Sequence, residues 1–303
     1  MLLHKMASML VGVALVLNAY TGTQESATTQ TTEPTRPAIE DTWQAGKDRC
    51  LDVGQHGSCP LDGYDDRPYD GYLPPSYDPA TPIPVVIGIH GGGGKSASAA
   101  ETSCPGGDLN NPACLHSIGM REGYLTLYPN GTGSRLLKNV RTWSAGGGGD
   151  WNCASGTACQ DGIDDIAYFN ALLDDLESWL HVDTTRVFAT GLSNGGAMSH
   201  RLGCELSSRI TAIAPVGGAN PFSTAAECSP EQPVPVLQIH GTADPCWTYH
   251  ESAEACIGGD GKRKMGVELS TEEWATRNDC ALEPTETRLP DAIDDDTTTT
   301  RIS

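Results

Sequence analysis

One serine lies in a pattern that could perform nucleophilic chemistry. Residues 191–195 read Gly-Leu-Ser-Asn-Gly, a G-x-S-x-G sequence. An apolar, β-branched run precedes it at Val187 to Thr190, and a helix-compatible run follows at Ala197 to Leu206. A strand, a tight turn and a helix in this order expose the serine hydroxyl on a sharp corner, and the helix N-terminus favours negative charge that develops beside it. Ser193 is therefore the candidate nucleophile, and a glycine turn without chemistry is the alternative.

A glycine-rich loop after a second apolar run supplies candidate partners for that serine. Residues 84–89 form the run, and His90 with four glycines follows it. In hydrolases built on an α/β sheet, such a loop donates one backbone N–H to the oxyanion of the reaction, and the residue after the nucleophile donates another. We expect Gly91 or Gly92 to donate the first and Asn194 the second. His90 is interpreted as structural, and a merely flexible loop is the alternative.

A third apolar run, at 234–239, leads to an acidic residue. Asp244 follows this run after a short turn. In hydrolases of this type the chain order is serine, then carboxylate, then histidine, and Asp244 follows Ser193. A carboxylate in that place holds the histidine in the required tautomer and stabilises the imidazolium. Asp244 is the candidate acid, although an aspartate before Pro245 is also typical of a turn.

These segments together resemble a known family. Over about residues 64–303, the chain is similar to the secreted esterases that include polyhydroxybutyrate depolymerases, feruloyl esterases and acetylxylan esterases. The matching segments are Ile89–Gly94, Tyr128–Gly131, Asp161–Ile166, Val182–Val187, Gly191–Met198, Ala214–Gly218 and Ile239–Pro245. The resemblance implies a disulfide-rich α/β-hydrolase fold, with a mostly parallel sheet and helices on both faces. It also implies a Ser-His-Asp triad that works through a covalent serine ester.

The histidine of the triad is the main departure from that family. In the family it lies near the C-terminus in a segment like Gly-Gly-His-x-Trp-Pro-Gly, whereas after Asp244 this chain has only His250. We therefore expect the 303 residues to stop before the catalytic histidine, so that the C-terminal part of the domain is missing. His250 lies on the same loop as Asp244 and is poorly placed to reach Ser193. If the chain is complete, the alternative is a catalytically inactive protein that binds a saccharide or a partner in the same cleft.

The cysteine count agrees with an incomplete, exported domain. Eleven cysteines are an odd number for a chain that forms disulfides. Neighbours in sequence suggest the pairs Cys50–Cys59, Cys104–Cys114, Cys153–Cys159, Cys204–Cys228 and Cys246–Cys256. Cys280 is left over, as the partner of a later cysteine, a free thiol or half of an intermolecular bridge. The spacing of Cys153 and Cys159 is wider than in zinc sites, so we expect no metal. No phosphate or dinucleotide motif predicts a cofactor.

The N-terminal composition predicts export. Residues 1–22 combine Lys5 with an apolar run at 9–17 that is too short to span a bilayer, which is typical of a secretory signal peptide; an uncleaved anchor is the alternative. Residues 23–45, rich in Thr, Gln and Pro, are predicted to be a disordered spacer. Residues 46–303 then form one extracellular esterase domain. The net charge of −20 argues against nucleic acid and anionic membranes as partners, since both would repel the chain.

A long amphipathic helix is predicted before the serine. Its N-cap is predicted at Asp161 and its end at Leu180, because apolar residues recur at helical spacing between them. Asp164 and Asp165 are interpreted as carboxylates of the first turn that interact favourably with the helix dipole. We expect them to form neither a metal site nor an acid pair.

Aromatic residues and the family resemblance bear on the substrate. Trp143, Trp151 and Trp247 are candidates to stack on a sugar or phenolic ring, and hydrophobic packing of a loop is the alternative. The resemblance allows a feruloyl or acetyl ester on plant polysaccharide, or a polyhydroxyalkanoate ester. The H-G-G-G-G loop favours the feruloyl type.

Overall fold

A mixed six-stranded sheet forms the centre of the molecule. The computed structural model describes residues 50–133, 140–146, 157–220, 228–250, 253–254, 263–281, 283–291 and 297–303. The strands are β1 His56–Cys59, β2 Tyr69–Tyr72, β3 Ile83–Ile89, β4 Leu125–Tyr128, β5 Thr132–Gly133, β6 Arg141–Thr142, β7 Val182–Leu192, β8 Ala212–Val216, β9 Ala253–Glu254, β10 Arg263–Lys264, β11 Glu286–Arg288 and β12 Thr300–Ile302. The α-helices are α1 Ser96–Thr102, α2 Leu115–Glu122, α3 Thr157–Gln160, α4 Asp165–Trp179, α5 Asn194–Glu205 and α6 Val267–Arg277.

The strand order of the main sheet is β1-β2-β4-β3-β7-β8. The β1–β2 and β2–β4 pairs are antiparallel, and the other three pairs are parallel. Parallel bridges from Ile213 to Val236 and from Val216 to Ile239 extend the sheet beyond β8. Because the three apolar runs of the sequence all belong to this parallel part, their carboxyl ends meet at one edge. The predicted mostly parallel sheet is confirmed.

Apolar side chains pack on both faces of the sheet. Val85 and Ile87 of β3 belong to a core cluster that includes apolar residues of α4 and α5. Val86 belongs to a second cluster with apolar residues of α1 and α2, such as Ala99 and Leu115. Because alternate residues of a strand face opposite sides, the two clusters lie on opposite faces. Helices therefore cover both faces, as the fold class predicts.

The helix before the serine begins later than the sequence predicts. Gly162 has a φ of 63°, a left-handed conformation that separates helix α3 from helix α4. The N-cap is Asp164, whose Oδ1 accepts a hydrogen bond from the N–H of Ala167 at 2.9 Å. The prediction of Asp161 as N-cap is therefore wrong: the helix begins at Asp165, after the left-handed glycine, and ends at Trp179.

In three disulfides both cysteines belong to the described residues, and each bond joins two cysteines that follow one another in the sequence. They are the predicted pairs Cys50–Cys59, Cys104–Cys114 and Cys204–Cys228. Cys159 and Cys246 are also disulfide-bonded, while their predicted partners, Cys153 and Cys256, lie outside the described residues. Cys280 is an exposed free cysteine.

The predicted signal peptide and spacer, residues 1–22 and 23–45, lie outside the described residues. Within the described part of the chain, none of the helices has the length and apolar character needed to cross a bilayer.

Candidate active site

Ser193 occupies a strained corner between β7 and α5. Its backbone has φ 56° and ψ −114°, a region that residues other than glycine seldom adopt. Its N–H donates to Val216 O at 2.8 Å, and its carbonyl accepts from the N–H of Ala197 at 3.0 Å. Strain of this kind costs of order 1–3 kcal/mol and persists only where the surroundings impose it. The corner has the geometry of a nucleophile elbow, as the G-x-S-x-G pattern predicts.

Two glycines allow the elbow to form. A Cβ on Gly191 would lie 2.6 Å from the carbonyl carbon of Gly195, and a Cβ on Gly195 would lie 2.3 Å from Ile89 O. Real side chains do not tolerate such distances, so β3, β7 and the start of α5 come this close only because both residues are glycine. The sharp corner therefore depends directly on the two glycines of the motif.

The glycine loop after β3 lies against the elbow. A Cβ on Gly91 would be 3.7 Å from the Cβ of Ser193. Gly93 N–H donates to Arg141 O at 2.8 Å, and Gly94 N–H donates to Gly91 O at 3.0 Å. By contrast, the structure shows no acceptor among the described residues for the N–H groups of Gly91, Gly92 and Asn194. These three are the predicted oxyanion donors.

His90 is held as a neutral, fully bonded side chain. The ring is only 1% exposed, and burial lowers its pKa to about 4. Its Nε2 accepts a hydrogen bond from the N–H of Gly131 at 2.9 Å, so its Nδ1–H donates to Gly91 O at 2.7 Å. Both nitrogens are occupied in holding the glycine loop. This geometry agrees with the interpretation of His90 as structural.

Asp244 lies on the loop that follows the segment beside β8. Its Oδ1 accepts hydrogen bonds from the N–H groups of Cys246 and Trp247 at 2.7 and 3.0 Å. Its Oδ2 lies 3.6 Å from Nε2 of His240, and the side chain is 14% exposed. One oxygen therefore fixes the turn, and the other faces an imidazole at longer range. Asp244 therefore has the turn role that the sequence offered as an alternative, and its role as the acid stays a prediction.

The described histidines do not complete a triad. His240 Nε2 lies 2.6 Å from Trp247 O and donates to it, and burial lowers the pKa of this ring. His200 accepts from the indole N–H of Trp274 at 2.9 Å and contacts Gln238 at 3.0 Å, and burial lowers its pKa to about 3. His250 lies 3.1 Å from Glu268 at the surface. Among the described residues, no side chain forms a hydrogen bond to the hydroxyl of Ser193.

The predicted substrate-lining tryptophans do not form an exposed aromatic wall. Trp143 is 0% exposed and packs against Tyr168 and Phe169, so it offers no face to a ligand. The prediction for Trp143 is corrected to the packing alternative. Trp247 is only 5% exposed, and Trp151 lies outside the described residues.

The structure contains a buried ion pair near the site that the sequence analysis does not predict. Arg67 Nη2 lies 2.5 Å from Asp165 Oδ1, and both side chains are buried. Asp165 Oδ2 accepts the N–H of Ser144 at 2.6 Å, and the Arg67 guanidinium lies 3.8 Å from the ring of Tyr168. Burial raises the pKa of Asp165, while Arg67 opposes that rise.

The burial of Asp165 could have been predicted from the spacing of the apolar residues that follow it on the same helix. Asp165 is followed at i+4, i+7 and i+11 by Phe169, Leu172 and Leu176, which are all buried. Asp165 therefore lies on the apolar stripe of α4 and not on its solvent face. The prediction that Asp165 lies in the first turn of the helix is confirmed, but its burial was not predicted.

One group of possible metal ligands occurs among the described residues. Cys104, Cys114 and His116 bring their ligand atoms within 4.8 Å of one another. The two sulfurs are joined in a disulfide, so neither supplies the thiolate that a metal requires.

Comparison with known proteins adds sequence relatives to this geometry. No family model matches the chain. Feruloyl esterase B of Piromyces equi is 33% identical over 136 residues, which are 44% of this chain and 25% of that protein. A probable feruloyl esterase C of Aspergillus niger is 27% identical over 206 residues, which are 67% of this chain and 65% of that protein. A bifunctional acetylxylan esterase/xylanase of Neocallimastix patriciarum is 27% identical over 131 residues, which are 43% of this chain and 16% of that protein. The chain is therefore similar in sequence to feruloyl esterases and to a bifunctional acetylxylan esterase/xylanase.

The sequence similarity covers only part of these relatives. The chain spans less than two thirds of the length of these feruloyl esterases. A solved ferulic acid esterase from Anaeromyces mucronatus superposes with a TM-score of 0.46 and 16% identity, over 84% of this chain and 88% of that one. The observed sheet order and the elbow after β7 give this relative of the feruloyl esterases an α/β-hydrolase fold.

Proposed function

We propose that the protein is a secreted serine carboxylic-ester hydrolase of the feruloyl esterase type. One observation carries the proposal. The strained Ser193 lies beside the backbone N–H groups of Gly91, Gly92 and Asn194, for which the described residues provide no hydrogen-bond acceptor. Such groups stabilise an oxyanion strongly, because they are already oriented before charge develops. The relationship to feruloyl and acetylxylan esterases supports the same reaction.

The proposed mechanism is acyl transfer through a covalent serine ester. Ser193 Oγ forms a bond to the ester carbonyl carbon as its proton passes to a histidine. The N–H groups of Asn194 and of Gly91 or Gly92 bind the resulting oxyanion. The histidine then protonates the leaving alcohol, whose bond to the carbonyl carbon breaks. Water repeats the sequence in the second half, which releases the carboxylic acid and restores the serine.

Asp244 is proposed as the carboxylate that orients this histidine. Its Oδ1 is engaged by two backbone N–H groups, so its Oδ2 is the oxygen that can accept from an imidazole. None of the described histidines is assigned as the base, because none forms a hydrogen bond to Ser193. That same observation favours a second candidate function, in which the protein binds an ester-bearing saccharide without turnover.

The substrate is proposed to be a feruloyl or acetyl ester on a polysaccharide. The names of the curated relatives and the H-G-G-G-G loop support it, and a polyhydroxyalkanoate ester is the alternative. Export is supported by the apolar run at 9–17 and by disulfides, which persist in oxidising compartments.

The decisive experiment compares three ester classes on the purified protein. Methyl ferulate, acetylated xylan and a hydroxybutyrate oligomer are each supplied, and acid release is measured. We expect turnover of methyl ferulate or acetylated xylan, and we expect Ser193→Ala to reduce it by at least about 10³-fold. Ser178→Ala is the control, because this serine is exposed on α4 and hydrogen-bonds only its own helix.

The outcomes separate the candidate functions. Faster cleavage of the oligomer would move the assignment to polyhydroxyalkanoate esters. Retention of most activity in Ser193→Ala would contradict the nucleophile. Saturable binding of ferulic acid by calorimetry, with no turnover of any ester, would favour the binding protein.

A further inference from the structure

We propose that Trp143 is a positioning residue that joins the two sides of the oxyanion hole. The inference rests on the proposed function and adds a residue to it. Trp143 contacts the residue before the glycine loop and the residue after the nucleophile, yet it is fully buried. It therefore acts through these two neighbours and not through the substrate.

The first contact is with the elbow. The side chain of Asn194 is buried, its Oδ1 accepts the N–H of Trp143 at 2.7 Å, and its Nδ2 donates to Trp143 O at 3.1 Å. Both polar ends of this amide are therefore matched to one peptide segment. The backbone N–H of the same Asn194 is a proposed oxyanion donor. The paired hydrogen bonds fix the residue that carries this donor.

The second contact is with the glycine loop. The indole Nε1–H of Trp143 donates to His90 O at 3.0 Å, and the two rings lie 4.9 Å apart. His90 in turn holds Gly91 O through Nδ1–H. Because the peptide bonds are trans, the N–H of Gly92 points away from the Gly91 oxygen. The orientation of the second donor thus depends on His90, and His90 is tied to Trp143.

Trp143 is itself held in place by residues of α4. Its ring packs against Phe169 and Tyr168, and the following residue, Ser144, donates its N–H to Asp165. Asp165 is held by Arg67, and Arg201 of α5 donates to Ser144 O. This buried network gives a reason for an ion pair in the core: it fixes the segment that aligns both donors.

The expected consequence is a kinetic defect larger than the loss of stability explains. Removing one oxyanion donor costs about 10²–10³ in rate. Trp143→Phe keeps both donors and most of the aromatic packing but loses the bond to His90 O. We therefore expect a smaller defect, about tenfold, in the step that develops charge.

The test is the rate at which an alkyl fluorophosphonate labels Ser193, located by mass spectrometry. In this reaction Oγ bonds to phosphorus, fluoride leaves and the proton passes to base, while the phosphoryl oxygen occupies the oxyanion hole. The matched control is Trp274→Phe, since Trp274 is equally buried and also loses one indole hydrogen bond, to His200. We expect Trp143→Phe to lower the maximal labelling rate about tenfold with little change in half-saturating concentration, and Trp274→Phe to stay within about twofold.

A second pair of variants covers the case in which Trp143→Phe does not fold. Asn194→Asp keeps the backbone donor but removes the Nδ2 bond to Trp143 O. Asn278→Asp is its control, because Asn278 pairs in the same way with the N–H and carbonyl of Val234. The proposal is supported if Asn194→Asp is labelled more slowly than wild type while Asn278→Asp is not. It is overturned if Trp143→Phe is labelled as fast as Trp274→Phe and Asn194→Asp as fast as Asn278→Asp. If the wild-type protein is not labelled at Ser193, the proposed function itself fails.

Discussion

The two halves of the candidate site are built differently. The nucleophile half, formed by the elbow and the glycine loop, is fixed by contacts between distant segments: Gly195 against Ile89, Asn194 against Trp143, and His90 against Gly131. In the acid half, formed by residues 241–247, Asp244 accepts from the N–H groups two and three residues later, and Cys246 is disulfide-bonded. Packing between distant segments holds the first half, whereas in the second half the Asp244 side chain itself is held by a local turn.

This difference agrees with the proposed chemical role of each half. An oxyanion donor is effective only when it is oriented before the reaction, which requires a rigid surrounding. The carboxylate of a triad must orient a histidine, and one fixed oxygen leaves the other available for that bond. The comparison predicts that changes in the acid half alter chemistry with little effect on folding, whereas changes in the nucleophile half alter both.

The largest effect is expected from Asp244→Asn. The amide oxygen can still accept from Cys246 and Trp247, so the turn should survive, but its NH₂ group replaces the oxygen that orients the histidine. We expect ester hydrolysis to fall by about 10³–10⁴-fold. The melting temperature should stay within about 2 °C. Asp183→Asn is the control, since Asp183 holds a similar turn at Thr185 away from the elbow; a comparable loss of activity in both variants would contradict the assignment of Asp244.

A pair of glycine substitutions tests the rigidity of the two halves directly. A Cβ on Gly195 would lie 2.3 Å from a backbone oxygen, whereas a Cβ on Gly241 would meet no atom within 4 Å. We expect Gly195→Ala to reduce the free energy of unfolding in urea by at least about 3 kcal/mol, because backbone must move. Gly241→Ala should change it by less than about 0.5 kcal/mol. Similar losses would show that the two halves are not held differently.

Sequence patterns predicted the elbow and the glycine loop because their requirements are local. The G-x-S-x-G motif, the preceding apolar run and the glycine loop each depend on residue type at fixed spacing, and each lies where it was predicted. Ser193, Asn194 and Gly91 are close in space because adjacent parallel strands end at the same edge. The expected pairs Cys50–Cys59 and Cys104–Cys114 also join neighbours in sequence.

The sequence interpretation failed where a residue's role depends on distant partners. Trp143 has no pattern that reveals burial, because its contacts are with His90 and Asn194, each about fifty residues away. Asn130 illustrates the same limit: Asn130-Gly131-Thr132 matches a glycosylation sequon, but the side chain is buried and donates to Pro68 O at 2.6 Å. Pattern matching places a residue on the chain, and only the fold shows whether its surface is available.

The smallest expected effect concerns pH, and it belongs to the nucleophile half. Burial lowers the pKa of His90 to about 4 in the folded protein, from an ordinary value near 6.5. Between these values the unfolded chain binds a proton that the folded protein does not. The stability due to neutral His90 is therefore complete above about pH 6.5 and is lost as the pH falls toward 4, by about 1 kcal/mol per pH unit.

Comparing wild type with His90→Gln in urea unfolding isolates this contribution, because other titrating groups are common to both proteins. Glutamine can still accept from Gly131 N–H but binds no proton. We expect the difference in unfolding free energy between the two to shrink steadily as the pH falls from 6.5 to 4.5. A difference that stays constant over this range would mean that His90 is not held neutral by burial. The glycine loop would then be less rigid than its contacts imply, and the contrast between the two halves of the site would weaken.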